Sequence, residues 1–380
     1  MADERNVPDE NSDLFVSHID FRALNAHKSL RSGFSVLRRC IFSKEAAAKC
    51  EALIRRFRPD VLHCQNIHAH LTPSVVLVAR RFGIPVVWTM HDYKVMCPNS
   101  HFRLDTTGAL CEACRPGRYW PAARTRCKKG SLLASTLAAV EAYGHWLRRV
   151  REKVDCFIAP SGFLADRLLA HGWPPERVRH VPNFIDPPAR EPAAGDGRHF
   201  LFVGKLEPLK GIDTLLEAAR QVPGAKVLLA GGCEDAGVRA RLAQLPPNVE
   251  YLGVQAADNV RRLMAEARAV VVPSVWYENQ PMVILEAFSV GVPVIGSRLG
   301  GIPELVPDGE RGLLIEPGNA GGLAAGIRAL QDSPERARTM GAAAREYVAE
   351  HHSRARHLSL ISEIYERAVA PARHAAVVAA

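Results

Sequence analysis

Residues Val270 to Gly296 constrain the fold more than any other part of the chain. Val270-Val271-Val272 and Pro293-Val294-Ile295-Gly296 are short apolar, β-branched runs, and Met282-Val283-Ile284-Leu285-Glu286 between them has apolar residues at helical spacing. Strand, loop, helix, strand at these lengths is a unit of a parallel sheet. The loop reads Pro273-Ser274-Val275-Trp276-Tyr277-Glu278-Asn279-Gln280-Pro281, and it is where the chemistry should sit. Pro281 fits the first turn of the helix, where its missing N–H costs nothing. The amides of Gln280, Met282 and Val283 then lie at a helix N-terminus, whose free N–H groups and positive dipole end suit an anion such as a phosphate. Glu278 stands just before the helix and Glu286 inside it, so each can accept hydrogen bonds from sugar hydroxyls. The plainer alternative makes Glu278 a cap and Glu286 a solvated helix residue.

At 380 residues the chain exceeds one ordinary core, which predicts two domains. A 47% hydrophobic fraction against 23% charged residues is that of a soluble globular protein. There is no run of 18 apolar residues and no signal-peptide core at the polar N-terminus, so the expected location is the cytoplasm. Residues 1–185 hold 28 Lys/Arg against 17 Asp/Glu, and residues 186–380 hold 21 against 23. This bias predicts a basic face turned toward an anionic membrane surface or acceptor, which would make the protein peripheral at the inner face of the membrane. Nucleic acid or a diffuse solvated excess are the alternatives.

Along the first half, residues 1–13 lack any pattern of order, and 14–21 read as a short strand. A helix over 44–57, a strand 59–64, a helix 73–82 and a strand 85–90 ending in His91-Asp92 follow. After an irregular insertion with cysteines, 97–130, a long helix fills 131–153, with Tyr143, Trp146, Arg148, Arg149, Arg151 and Lys153 near its end. That mixture can rest on a bilayer interface, and packing against the sheet explains its apolar members equally well. A strand 156–159, a helix capped by Ser161 and a segment 178–182 complete a domain over 1–185. Residues 186–198 are a Pro/Gly-rich linker. The second domain, 199–353, runs through strand 200–204, helix 211–221, strands 226–230 and 249–252, the stretch described first, a loop and strand 306–317, and helices 319–331 and 334–350. A last helix, 354–370, packs back toward the first domain. Alternating strands and helices give two Rossmann-like, doubly wound α/β domains facing a cleft.

Gly204-Lys205 and Lys210-Gly211 directly follow a strand, and the two lysines on this turn can hold a diphosphate as point charges opposite the helix amides. Gly231-Gly232 forms another close-approach loop. Leu252-Gly253-Val254 ends a strand at the same edge, where backbone groups can pair with a nucleobase.

With these motifs in order, the chain from about residue 14 to 370 resembles the family 4 (group 1) glycosyltransferases of GT-B fold. The matching residues are Gly204-Lys205, Lys210-Gly211, Leu252-Gly253, Pro273-Ser274, Glu278 with Glu286, Gly291-Val292-Pro293-Val294-Ile295, Gly300-Gly301-Ile302-Pro303-Glu304, and Asp308-Gly309 with Gly312-Leu313-Leu314. The resemblance implies that Lys205 and Lys210 neutralise the donor diphosphate, that Glu278 meets the transferred sugar, and that Glu286 meets the ribose. His91 matches the histidine that faces the sugar, the alternative being a core histidine. The resemblance also places Gly204, Val254, Asn279, Gln280, Met282 and Val283 around the donor. Where the family usually has arginine, Lys205 keeps the charge and loses the bidentate fork. The implied reaction moves a hexosyl group from a UDP- or GDP-sugar to a glycan or lipid-linked hydroxyl, with retention and without a catalytic metal.

Cys97, Cys111, Cys114 and Cys127 include one Cys-x-x-Cys pair. In a cytoplasmic protein this spacing favours a structural Zn²⁺ site over disulfides, with four reduced thiols as the alternative. Family members usually begin with an apolar strand, a Gly-rich turn and a helix, whereas Asp3, Glu4, Asp9, Glu10 and Asp13 stand here. The expectation is a first domain lacking its N-terminal βα unit. Other readings are a truncated, inactive nucleotide-sugar-binding remnant, an epimerase of the same architecture, and a basic zinc module for nucleic acid. No aromatic-rich basic strand or recognition helix supports the last.

Overall fold

The computed structural model describes residues 11–17, 38–68, 70–186 and 197–378, with side chains to residue 370. The chain divides into two compact units. Unit 1 comprises Met1–Pro160, Ala165–His180 and Ile361–Ala380, and unit 2 comprises Ser161–Leu164 and Val181–Leu360. Unit 2 thus takes up at Val181 and also includes Ser161–Leu164, shortly after strand 156–159.

Unit 1 holds a parallel sheet in the order β1 (Leu62–Gln65), β2 (Val86–Thr89), β3 (Cys156–Ala159), β4 (Val178–His180). All four residues of β2 are buried, which is why it reads as a continuous apolar run rather than an alternating one. Helix α1 (Lys44–Phe57) starts where Ser43 Oγ accepts from the Ala46 amide and stops at Arg58 in the left-handed conformation. It packs on α2 (Ser74–Arg81). The order β1-β2-β3-β4 runs straight, so the reversal of a doubly wound sheet is not among the described residues of this unit.

Two differences stand out in unit 1. Residues Ser12–Leu14 form a 3₁₀ turn, so Leu14 does not open the expected strand; Ser17 takes part in a β-bridge, and its amide and hydroxyl donate to the Glu45 carboxylate. Residues 18–21 of that expected strand, like 1–10 and most of the linker (187–196), lie outside the described residues. The long helix ends early: after α3 (Trp120–Thr125), α4 spans Leu132–Leu147. Arg149 turns left-handed with φ 52°, and the Val150 amide reaches back to the His145 carbonyl, a Schellman closure made without glycine. Residues Arg151–Lys153 form a separate 3₁₀ turn.

Next comes α5 (Gly162–Ala170). Unit 2 has a six-stranded parallel sheet of β5 (His199–Val203), β6 (Val227–Ala230), β7 (Val249–Gly253), β8 (Ala267–Val272), β9 (Val294–Ser297) and β10 (Gly312–Ile315), in the order β10-β9-β8-β5-β6-β7. The chain runs outward through β5, β6 and β7, then returns to the other side of β5. This reversal between β5 and β8 opens a crevice at their carboxyl ends, the usual ligand position in such a sheet.

Alternate residues of β5 face two cores. Phe200 and Phe202 join α6 (Ile212–Arg220) and α11 (Ala320–Asp332) on one side, and Leu201 joins α9 (Met282–Ser289) on the other. Phe288 on α9 is fully buried, and its truncation to alanine costs about 3–5 kcal/mol. Pro281 is the N-cap of α9 rather than its first helical residue. Between these lie α7 (Ala236–Leu242), α8 (Ala257–Ala265) and α10 (Ile302–Leu305). After them, α12 (Pro334–His351) and α13 (Arg354–Val378) close the chain. From Ile361 onward α13 belongs to unit 1, where Tyr365 hydrogen-bonds His63 on β1 at 2.6 Å. No helix among the described residues is long and apolar enough to cross a membrane.

Candidate functional site

The loops leaving β5 and β8 are pressed together. A 3₁₀ turn, Pro208–Lys210, ends at Gly211, where a Cβ would stand 1.8 Å from the Pro273 carbonyl oxygen. The Val275 amide then donates to the Leu209 carbonyl at 2.9 Å. Only glycine allows this approach, and it delivers Lys210 to Glu278. The Glu278 side chain is buried, and its Oε1 accepts from Lys210 Nζ (2.8 Å), Ser274 Oγ (2.6 Å) and Trp276 Nε1 (2.9 Å). Lys210 also stands over the Trp276 ring, 5.2 Å from its centroid. None of these bonds uses Oε2, so the carboxylate is fixed through one oxygen while the other has no protein donor among the described residues.

A second clamp holds the loop from the far side. Gly301 packs so closely that a Cβ would lie 1.9 Å from the Asn279 carbonyl oxygen, and its amide donates to the Glu278 carbonyl at 2.8 Å. Asn279 Oδ1 accepts from Ser161 Oγ at 2.7 Å, and Gln280 Oε1 accepts from the Asn183 amide at 2.6 Å. These two side-chain oxygens fix the loop. Their neighbour Glu304 accepts from the amides of Gly162 and Phe163.

Beyond Pro281, the Met282 and Val283 amides have no hydrogen-bond acceptor among the described residues, as the first turn of a helix requires. Glu286, one turn further along α9, is half-buried. Burial pushes its carboxyl above the usual range against the opposing charge of Arg261. No side-chain hydrogen bond satisfies it among the described residues. Lys205 behaves differently from Lys210: it is more than half exposed and lies 3.7 Å from Glu234 Oε2. Gly204 and Gly253 have positive φ at the same edge, and Val254 beyond is exposed.

In unit 1, His91 follows β2 and its Nε2 lies 2.9 Å from Gln65 Oε1 at the end of β1. A carboxamide oxygen only accepts, so this contact assigns the proton to Nε2 and leaves Nδ1 as an acceptor. Burial holds the ring below its ordinary pKa, with Asp92 opposing. Asp92 lies 3.3 Å from His68 Nε2 and accepts from the Lys94 amide at 2.8 Å. Sequence reasoning assigned no role at the site to Gln65, Trp276 or Asn183, took Ser274 only as a motif residue, and read Ser161 only as a helix cap, which its bond from the Leu164 amide bears out. Of these, Ser274 and Trp276 were visible in the key loop, but their convergence on one oxygen depends on tertiary geometry.

The four cysteines come together, with Cys114 in electrostatic reach of Cys97, Cys111 and Cys127. No group of three or more His, Cys, Asp or Glu among the described residues is arranged to hold a metal ion. Cys97, Cys114 and Cys127 are buried, and Cys111 is half-buried. Burial, then the neighbouring thiols, push Cys114 up to about 12, and the same causes push Cys127 to about 11. Cys114 and Cys127 share a small core with Tyr119, Ala122 and Ala139. The Asn99 carboxamide organises the segment by donating to the Arg103 and Cys127 carbonyls and to Asp105 Oδ1.

This arrangement can be set beside known proteins. The sequence profile "Glycosyltransferase Family 4" matches residues 11–188, and "Glycosyl transferases group 1" matches 186–347, the part that holds the crevice. The chain belongs to the family 4 (group 1) glycosyltransferases. Among curated family relatives, glycogen synthase of Mycobacterium tuberculosis is 29% identical over 77% of this chain and 65% of its own length. D-inositol 3-phosphate glycosyltransferase of Mycolicibacterium smegmatis is 34% identical over 36% of this chain and 33% of its own length. The chain thus spans less than two thirds of the curated relatives it matches.

Solved structures bear on the glycosyltransferase fold. Sucrose-phosphate synthase from Thermosynechococcus elongatus superposes with a TM-score of 0.65 at 22% identity, covering 87% of this chain and 79% of that one. Anabaena HepE in complex with UDP-glucose gives 0.63 at 19% identity, covering 84% and 82%. The fold is GT-B.

Proposed function

We propose that the chain is a retaining hexosyltransferase that moves a sugar from a UDP- or GDP-sugar to a hydroxyl of a polysaccharide or lipid-linked glycan, working at the cytoplasmic face of a membrane. The observation that carries this reading is the Lys210–Glu278 pair, fixed by Ser274 and Trp276 at the β5/β8 reversal beside the unpaired amides of Met282 and Val283. A cation and two amides at one sheet edge suit a diphosphate. The name of a neighbour in complex with UDP-glucose supports a nucleotide-sugar donor.

In this reading the bond between the anomeric carbon and the diphosphate oxygen breaks, and the acceptor oxygen bonds to that carbon on the same face. The acceptor proton passes to the departing diphosphate. Lys210, Lys205 and the α9 amides stabilise the charge as it develops on the leaving group. Glu278 orients the sugar through Oε2, Glu286 takes the ribose hydroxyls, and neutral His91 contributes a hydrogen bond to the sugar. Catalysis comes from placement and electrostatics, with no protein nucleophile and no metal.

The test is donor-dependent release of nucleoside diphosphate with UDP- and GDP-hexoses and lipid-linked or polysaccharide acceptors, with NMR of the new anomeric linkage. The expected product keeps the donor's anomeric configuration. Inverted product overturns the retaining mechanism. Tight nucleotide binding without transfer to any acceptor identifies a binding remnant instead.

A further inference from the structure

Unit 1 has a surface that the donor chemistry leaves unused. Leu133, Val140 and Leu147 recur every seven residues on α4 and so share one helix face. They are 61%, 41% and 70% exposed, and Leu132 beside them is 53% exposed. The rest of the helix is engaged with protein, through buried Ser135, Ala138, Ala139 and Glu141 and, next to the stripe, at Gly144, where a Cβ would meet Ile41 at 2.7 Å. Trp146 and Trp120 are nearly half exposed, and Trp146 lines a cavity with Trp88, Phe157 and Trp173 on the other side of α4. Gly117 lies so close to the Trp146 ring that a Cβ there would meet it at 2.9 Å, which brings the loop carrying Arg118 alongside. The guanidinium groups of Arg118 and Arg124 stand over the Trp120 ring, 5.5 and 5.3 Å from its centroid.

Charge around this face has one sign. Residues 115–153 contain ten Lys/Arg and two acids, Glu141 and Glu152. Glu141 is spent internally on Lys94, 2.8 Å away. Arg118, Arg124, Arg126, Lys129, Arg148 and Arg149 are all exposed.

We propose that the outer face of α4, with the exposed cations of this part of the chain, docks on an anionic lipid bilayer. The leucines and valine enter the acyl boundary and the cations meet lipid phosphates. A nucleic acid would engage the arginines but leave the leucine stripe in water. A second copy would bring a surface of the same strong positive charge against this one. A bilayer with anionic headgroups satisfies both halves of the surface. This docking goes beyond the donor site and is tested without reference to transfer activity.

The test is sedimentation of the full chain with vesicles of phosphatidylcholine alone and with added phosphatidylglycerol, at low and physiological salt. Binding is expected only with phosphatidylglycerol, and it should weaken as salt rises. The combined variant Leu133→Gln, Val140→Gln, Leu147→Gln should lower partitioning at least about tenfold. Arg118→Gln and Arg148→Gln should each lower it up to about five-fold. Unchanged unfolding midpoints establish that the variants fold. If the triple variant does not fold, Leu147→Gln alone, at the most exposed position, must still lower partitioning. Any of four results overturns the proposal: no sedimentation with either vesicle, equal binding to both, binding indifferent to the apolar substitutions, or a dimer in solution that the triple variant abolishes. Salt-sensitive binding to DNA in place of vesicles would also overturn it.

Discussion

The crevice loops of unit 2 and residues 97–130 of unit 1 are both irregular backbone laid over a parallel sheet, yet they are held by different means. Around the crevice, glycines let main chain touch main chain: Gly211 against Pro273, and Gly301 against Asn279. Side chains then close on a single carboxylate oxygen of Glu278. In residues 97–130, one carboxamide, Asn99, ties three separate positions together around a small core of thiols and rings. The first arrangement leaves charge and amides facing a ligand position. The second consumes its polar groups internally, so its expected effect is on stability and shape rather than on chemistry.

Substitutions can break or sharpen this contrast. The largest effect is expected for Lys210→Ala, which removes the cation from the leaving group and leaves the Glu278 charge without its partner. Transfer, measured as kcat/KM, should fall by at least about 100-fold. Unfolding free energy should drop by about 2 kcal/mol, discounted for the partial exposure of the lysine. If Lys210→Ala costs stability but not turnover, the crevice is only another internal clamp.

Gln65→Leu should lower kcat by about tenfold by releasing His91 from its assigned tautomer, with a smaller change in KM for the donor. An equal loss through KM alone would give Gln65 a purely structural role.

Glu286→Gln separates ligand duty from packing. Because burial raises the Glu286 carboxyl in the folded state, the native protein binds its proton more tightly than the unfolded chain does. Stability from this group is therefore lost as pH rises from the ordinary carboxylate range through the raised folded value. The neutral glutamine should raise the thermal midpoint at pH 7 and flatten that pH dependence, while weakening nucleotide affinity several-fold. A variant that is more stable and binds nucleotide equally well would remove Glu286 from the ribose.

The smallest effect on chemistry is expected for Asn99→Ala. It should cost about 1–3 kcal/mol of unfolding free energy by removing three hydrogen bonds from a buried donor, and should leave nucleotide binding by calorimetry unchanged.

The strands and most helices were legible because apolar runs and capping residues are local signals. Helix 44–57 and strand 156–159 coincide with α1 and β3. Helix α8 was missed because Val260, Leu263 and Met264 make a sparse stripe among charged neighbours, and α7 because it is seven residues long with Val238 as its buried side chain. The early end of α4 was invisible because its left-handed closing residue is Arg149, where glycine would have announced it.

At the site, Lys210, Glu278 and Glu286 could be found from spacing and resemblance. That Glu278 is an internal anchor through one oxygen could not be found that way. Its donors come from loops brought together by the β5/β8 reversal, and a strand order that doubles back leaves no local pattern. The side-chain bonds of Asn279 and Gln280 were illegible for the same reason, since their partners Ser161 and Asn183 are more than ninety residues away. The backbone between the cysteines follows hydrogen bonds from Asn99 that no motif encodes.

The central claim is that Lys210, held by Glu278, grips a diphosphate at the β5/β8 crevice. Calorimetric titration of the wild-type chain and Lys210→Ala with UDP and GDP, each compared with its nucleoside, tests this most directly. The account predicts that one nucleotide binds wild type at least about 100-fold more tightly than its nucleoside, and that most of this advantage disappears in Lys210→Ala. A diphosphate advantage of the same size in both proteins would contradict it.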